Sequence, residues 1–245
     1  MKGTRRGFTL IEVALFLAVS GLLFIGITVG VQSSIKQQRY NDSVQNFAEF
    51  LRTAYSQALN VQHAGTNKGR SGSAIYGKLI TFGESRDLDG HGNTKGMIFS
   101  YDIIANANAS GGSADALSQL KLMNIRTVAT EADSYTPRWS AKIQKKNYEA
   151  FKGAVLIVRH PSSGIVYTYY SEKVVEVNSD VKIKDFLNSD STKDAFQMKK
   201  VDFCVNPEPG QTGNIRKDVR IIENARNSSG IVLVPDDGGD NECRS

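Results

Sequence analysis

The run from Phe8 to Val31 constrains this chain more than any other stretch. It holds 24 residues, almost all apolar, with one ionisable side chain, Glu12. As a helix it rises about 36 Å, enough to cross the hydrocarbon core of a bilayer with some tilt. Lys2, Arg5 and Arg6 precede it and Gly7 closes the basic leader. The positive-inside rule places that leader in the cytoplasm and everything after Gln32 beyond the inner membrane. A carboxylate inside such a segment costs a few kcal/mol and is rarely idle. Glu12 stands four residues past Phe8, one helical turn along the same face, so a free amine on Phe8 could pair with it. A secretory signal peptide has a shorter apolar region, with its cleavage site after that region.

The periodicity continues past the apolar run. Between Gln32 and Asn60 there is neither proline nor glycine, and Val44, Phe47, Leu51, Tyr55 and Ala58 recur in steps of three and four. One helix from about Thr9 to Leu59 is expected, roughly 75 Å long. Its first half is apolar on every side and its second half is amphipathic. Beyond it, strand-like runs fall at Ile75 to Phe82, Met97 to Ile104, Leu120 to Val128, Ala154 to Arg159, Ile165 to Tyr170, Val201 to Val205, Val219 to Ile222 and Ile231 to Val234. His160-Pro-Ser-Ser-Gly164 reads as a turn joining two paired strands. Ala105 to Ala114 reads as a surface loop, and Ile183 to Leu187 as a short helix. The expected fold class is α+β, a long N-terminal helix packed on a mostly antiparallel β head. The divisions are a leader (1–7), an apolar helix (8–31), its amphipathic continuation (32–60) and a β-rich head (61–245).

Charge and cysteines narrow the function. The formal net charge is +5. Loss of residues 1–7 removes Lys2, Arg5 and Arg6 and leaves 5 − 3 = +2, so only local basic clusters argue for a polyanionic partner. Arg138, Lys142, Lys145, Lys146 and Lys152 form one cluster, with Trp139 and Tyr148 interleaved; Arg216, Lys217, Arg220 and Arg226 form another. Cations beside aromatics can hold phosphates and stack bases, so DNA is the candidate partner, against the plainer reading of solvated faces. Cys204 and Cys243 are the only two cysteines, both in the segment expected outside the membrane, and an even pair there favours a disulfide. In the chain-entropy model such a bridge contributes about 4 kcal/mol.

No arrangement supports catalysis. His63, His91 and His160 sit in unrelated contexts, and nucleophile-elbow, phosphate-loop and H-E-x-x-H patterns are absent from the sequence. An enzyme is not expected. For cofactors the expectation is none, with one weak calcium candidate. Asp87, Asp89 and Asn93 alternate around glycines like part of a calcium loop, but Gly96 stands where a bidentate glutamate belongs.

The stretch Gly7-Phe-Thr-Leu-Ile-Glu12-Val resembles the class III signal of type IV pilins and of the pseudopilins of type II secretion. The resemblance covers about the first sixty residues. It implies a prepilin peptidase that cuts after Gly7 and methylates Phe8, with Glu12 as the buried carboxylate that sets register between subunits. It further implies partners in other pilin or pseudopilin subunits and an inner-membrane assembly platform, and a final location in an extracellular or periplasmic filament. Many major pilins carry a proline within the apolar segment; this chain has only Gly21, Gly26 and Gly30 there, a departure that favours a minor subunit. The Cys204–Cys243 segment is similar to the C-terminal disulfide-bounded loop of many pilins. Its closing Gly230-Ile-Val-Leu-Val run is similar to H-type pseudopilins and to DNA-receptor minor pilins, although arginine-rich residues usually follow that glycine in the latter. The implied function is a structural subunit of a pilus or pseudopilus, with a filament-borne DNA receptor or adhesin as the alternative.

Overall fold

The computed structural model describes residues 9–60, 73–83, 97–106, 125–147, 149–160, 163–177, 196–207, 216–234 and 243. Helix α1 spans Leu10–Leu59. The strands are β1 (Ser73–Phe82), β2 (Ile98–Asn106), β3 (Arg126–Tyr135), β4 (Lys142–Gln144), β5 (Gly153–Arg159), β6 (Val166–Ser171), β7 (Val201–Asn206), β8 (Lys217–Ile221) and β9 (Ile231–Val234). The chain divides into two compact units, Met1–Asp42 and Ser43–Ser245. The expected α+β class is observed. The expected helix agrees with α1 to within one residue at its start.

In the second unit the strands form two antiparallel sheets, ordered β3-β2-β1-β5-β6 and β4-β7-β8-β9. Val44, Phe47, Ala48, Leu51, Ala54, Tyr55 and Ala58, spaced at helical period, are all buried. Phe47 is the pivot, with ring contacts to Phe82 of β1, Tyr135 of β3 and Phe203 of β7. Phe151 completes this cluster against both Phe82 and Phe203. Aromatic rings from the helix and both sheets therefore meet at one place. Such edge-to-face and tilted pairs add about 0.5–1.5 kcal/mol each beyond the area they bury. On the opposite face of the larger sheet, Leu79, Phe99, Tyr101, Leu156, Val158 and Tyr169 pack into a separate core.

Two polar sites in this unit are paired, while the Tyr135 hydroxyl is buried without a hydrogen-bond partner among the described residues. Tyr55 donates to Thr168 Oγ1 at 2.6 Å, and Thr168 Oγ1 donates on to the Ala225 carbonyl at 2.9 Å. Lys78 and Asp102 face each other across β1 and β2, Nζ to Oδ1 2.6 Å, with both side chains buried. Burial pushes the Tyr55 phenol above its ordinary range, more than the bond to Thr168 pulls it down.

Two strands depart from expectation. The third strand is Arg126–Tyr135, later than Leu120 to Val128, because its polar end, Ala132 to Tyr135, pairs with β2 from Ile98 to Tyr101. Strand β4 was not expected; three residues hold no readable alternation, and pairing with β7 defines them. The antiparallel β head is built from two sheets, since β4 joins β7 rather than the strands that flank it in sequence. The His160 turn behaves as expected: β5 and β6 pair from Ala154↔Ser171 to Arg159↔Val166. The expected helix at 183–187 and most of the loop at 105–114 lie outside the described residues.

Candidate functional site

In the first unit, α1 begins at Leu10 with Thr9 as its cap. Thr9 accepts from the Glu12 amide, at 3.1 Å through its carbonyl and 3.4 Å through Oγ1. Thr9-Leu-Ile-Glu12 thus has the spacing of a capping box, and a carboxylate in the first turn lies at the favourable end of the helix dipole. That role for Glu12 was legible as T-x-x-E and was missed. Through the next two dozen residues the apolar side chains stay exposed on every side of the helix, Leu10 at 89% and Phe24 at 73% among them. The helix is long and apolar enough to cross a membrane. Gly7 and Phe8 lie outside the described residues.

In the head, Cys204 on β7 is disulfide-bonded to Cys243, with Cα atoms 5.3 Å apart. Arg216 sits beside this bond, 4% exposed. Its guanidinium donates to Asn206 Oδ1 at 2.6 Å, to the Lys145 and Lys146 carbonyls at 3.0 Å, and to the Cys243 carbonyl at 3.3 Å. Asn206 in turn donates to Gln144 Oε1. One cation therefore ties β7, the turn after β4 and the C-terminal cysteine together. Arg220 pairs with Asp202 and with Asp218, the latter at 2.9 Å, and its side chain is 15% exposed.

This geometry places the residues of the basic clusters read from the sequence. Arg216 and Arg220 were grouped with the DNA-binding candidates; both are engaged inside the head, where forked donors satisfy carbonyls and carboxylates and turn away from solvent. Arg138 is exposed on a 3₁₀ turn, Lys142 is exposed on β4, and Lys217 begins β8, half-buried. Lys145 and Lys146 follow β4 and line a cavity of about 270 Å³ together with Lys199, Lys200, Tyr170 and Glu172. Lys199 lies 4.9 Å above the Tyr170 ring and 3.1 Å from Glu172; Lys200 lies 3.7 Å from Asp202. Lys199 and Lys200 were missed because their partners are some fifty residues away in sequence, and β7 brings them across. Burial, followed by the charge of Glu172, raises the Tyr170 phenol above its ordinary range.

The calcium candidates Asp87, Asp89 and Asn93 lie outside the described residues, as do His63 and His91. Among the described residues no three His, Cys, Asp or Glu side chains group as metal ligands. His160 caps the β5–β6 turn, its Nδ1 3.2 Å from Ser163 Oγ and Tyr167 packed on its ring. Comparisons with protein-family models, curated proteins and solved structures return no match.

Proposed function

We propose that this protein is a membrane-anchored structural subunit of a helix-cored filament, a type IV pilus or a type II secretion pseudopilus, in a minor position. The observation that carries the reading is the first half of α1: long, apolar on every side and exposed along its described residues. Such a surface is stable only in lipid or against other apolar helices. Before assembly the bilayer serves; afterwards, neighbouring copies of the same segment do. Glu12 gives that exchange a register. An unpaired carboxylate among apolar helices is costly, so arrangements that bring the amine of a processed Phe8 to Glu12 are favoured over their neighbours. The head then projects from the filament, with the disulfide and Arg216 stiffening its C-terminal segment.

Processing is the sharpest test. Protein made in a host with a prepilin peptidase should lose residues 1–7 and gain one methyl group on Phe8, read by intact mass and N-terminal peptide sequencing. Filament-borne protein that keeps Met1 to Gly7 refutes the assignment.

A second reading is favoured by one observation: four lysines from two distant segments line a single cavity beside Tyr170. On that reading the head holds a polyanion, DNA among them, with Lys145, Lys146, Lys199 and Lys200 as the contacts. Glu172 and Asp202 leave a formal charge of 4 − 2 = +2 on these lining residues. Binding of duplex DNA to the full chain should weaken steeply with salt, and a Lys145→Ala/Lys146→Ala pair should shallow the slope by about two phosphate contacts. Absence of binding at low salt ends this reading and leaves the first untouched.

A further inference from the structure

The head contains a second cavity, of about 460 Å³, enclosed by the ends of β1 and β2 and by the segment that leads into β4. Its walls are chiefly apolar, with Phe82, Met97, Ile98, Ile143 and Phe151 supplying most of the bulk. That volume and composition fall within the range of small-molecule sites, about 300–1,000 Å³ with a few polar groups placed for orientation. The polar contribution is one-sided. Among the described residues of the lining, Lys142 is the only charged one, Thr136, Ser140 and Gln144 add neutral hydrogen-bonding groups, and none carries a carboxylate.

The wall nearest Lys142 is built in an uncommon way. Trp139 (φ 56°, ψ 39°) and Ser140 (φ 56°) both adopt the left-handed region, although neither is glycine. Residues with side chains seldom take that conformation, and two in succession persist only where the surroundings hold them. Here the Arg138 carbonyl accepts from Ser43 Oγ at 2.9 Å and from the Ala141 amide at 3.2 Å, which pins the turn from both sides. The consequence is that Pro137, Ser140 and Ala141 face the cavity while Trp139, between them in sequence, remains 49% exposed. The turn supplies one wall of the cavity. Strain of this kind concentrates where a ligand is held.

We propose that this cavity binds a small amphipathic carboxylate, an aryl or acyl acid whose apolar body fills the pocket beside Phe82 and Phe151 and whose anionic end meets Lys142. The choice of charge rests on the described lining: there an amine would meet Lys142 with no carboxylate among those residues to offset it, while a carboxylate meets an ammonium with hydroxyl and amide donors beside it. The site is separate from the lysine-lined cavity near Tyr170 and does not depend on the filament assignment.

The test uses the full chain in lipid nanodiscs and titration calorimetry, with empty nanodiscs subtracted. The probes are 1-naphthoate and 1-naphthylmethylamine, which share a ring system and differ in charge. Naphthoate should bind saturably at one site, at least tenfold more tightly than the amine. Lys142→Glu, an exposed substitution, should weaken naphthoate about tenfold and narrow or reverse the preference, and Lys142→Arg should restore it. Ala150→Phe, also at an exposed position on the rim, should abolish binding of both probes by filling the cavity. Fluorescence of Trp139, the chain's one tryptophan, should match the parent in each variant, which separates loss of the site from loss of the fold. Absence of saturable naphthoate binding, equal affinity for the two probes, or binding that survives Ala150→Phe overturns the proposal.

Discussion

Replacing Asp102 by leucine tests whether the ion pair beneath the helix is a structural requirement or a replaceable filler. Lys78 and Asp102 are held 2.6 Å apart with side-chain exposures of 6% and 9%, so neither charge is solvated. Removing one partner strands the other, at a typical cost of about 3–5 kcal/mol. Asp133 moderates this: its Oδ2 lies 3.4 Å from Lys78 Nζ on a side chain that is 71% exposed, which gives the orphaned ammonium a weak, solvent-linked partner. The expected loss for Asp102→Leu is therefore about 3 kcal/mol, at the low end of the range. Lys78→Met with Asp102→Leu removes both desolvation penalties and keeps the volume. That double variant should fall within about 1 kcal/mol of the parent, which gives a coupling energy of at least ~2 kcal/mol in the double-mutant cycle. Urea denaturation of the full chain in nanodiscs, followed by Trp139 fluorescence and linear extrapolation, measures all four corners. An Asp102→Leu loss below about 1 kcal/mol refutes the claim that the charge is trapped. A double variant as unstable as the sum of the single ones refutes the claim that the pair is replaceable.

Three further outcomes follow from the same structure. Cys204→Ser with Cys243→Ser should lower stability by about 2–5 kcal/mol and release the Cys243 carbonyl from Arg216; reducing and non-reducing denaturation curves that coincide would contradict it. Gly77→Ala should destabilise the head by more than about 3 kcal/mol, because a Cβ there overlaps the Ile157 carbonyl oxygen on the paired strand; soluble, normally melting protein would refute this. Glu12→Ala should insert in the membrane with an intact head yet enter filaments poorly. Glu12→Gln, which keeps the capping spacing and loses only the charge, should fail equally; rescue by glutamine in a filament-incorporation assay would assign Glu12 to the cap alone.

What could be read from the sequence is what depends on near neighbours. The helix was visible because Val44, Phe47, Leu51, Tyr55 and Ala58 repeat at its period, and every one of them is buried. The β5–β6 hairpin was visible because a turn signal separates two apolar runs that then pair directly. The cysteines were visible because there are only two. What stayed hidden depends on partners far along the chain. Lys142 to Gln144 become a strand only through Val205 and its neighbours, and Lys199 joins Lys145 only once β7 is laid against β4. Arg216 looked like a surface cation because sequence reports its charge and not the carbonyls that surround it. The third strand lies later than its apolar run suggests for a related reason: Leu120 to Val128 has the strand-like composition, while pairing with β2 supplies what the composition of Ala132 to Tyr135 lacks.

The strand order also sets a clock. Sheet β3-β2-β1-β5-β6 is complete in chain order at Ser171, whereas β4, made before β5, is held only by a local bridge to Ala150 and joins its sheet when β7 arrives. From Gln144 to Val201 the ribosome must add 57 residues. At about 5–20 residues per second, that is a wait of roughly 3–11 seconds. During it Phe82 and Phe151 lack Phe203, the ring that later closes over both. A nascent chain stalled in this window would carry one finished sheet and an uncovered aromatic patch, the species on which a chaperone or a protease would act first.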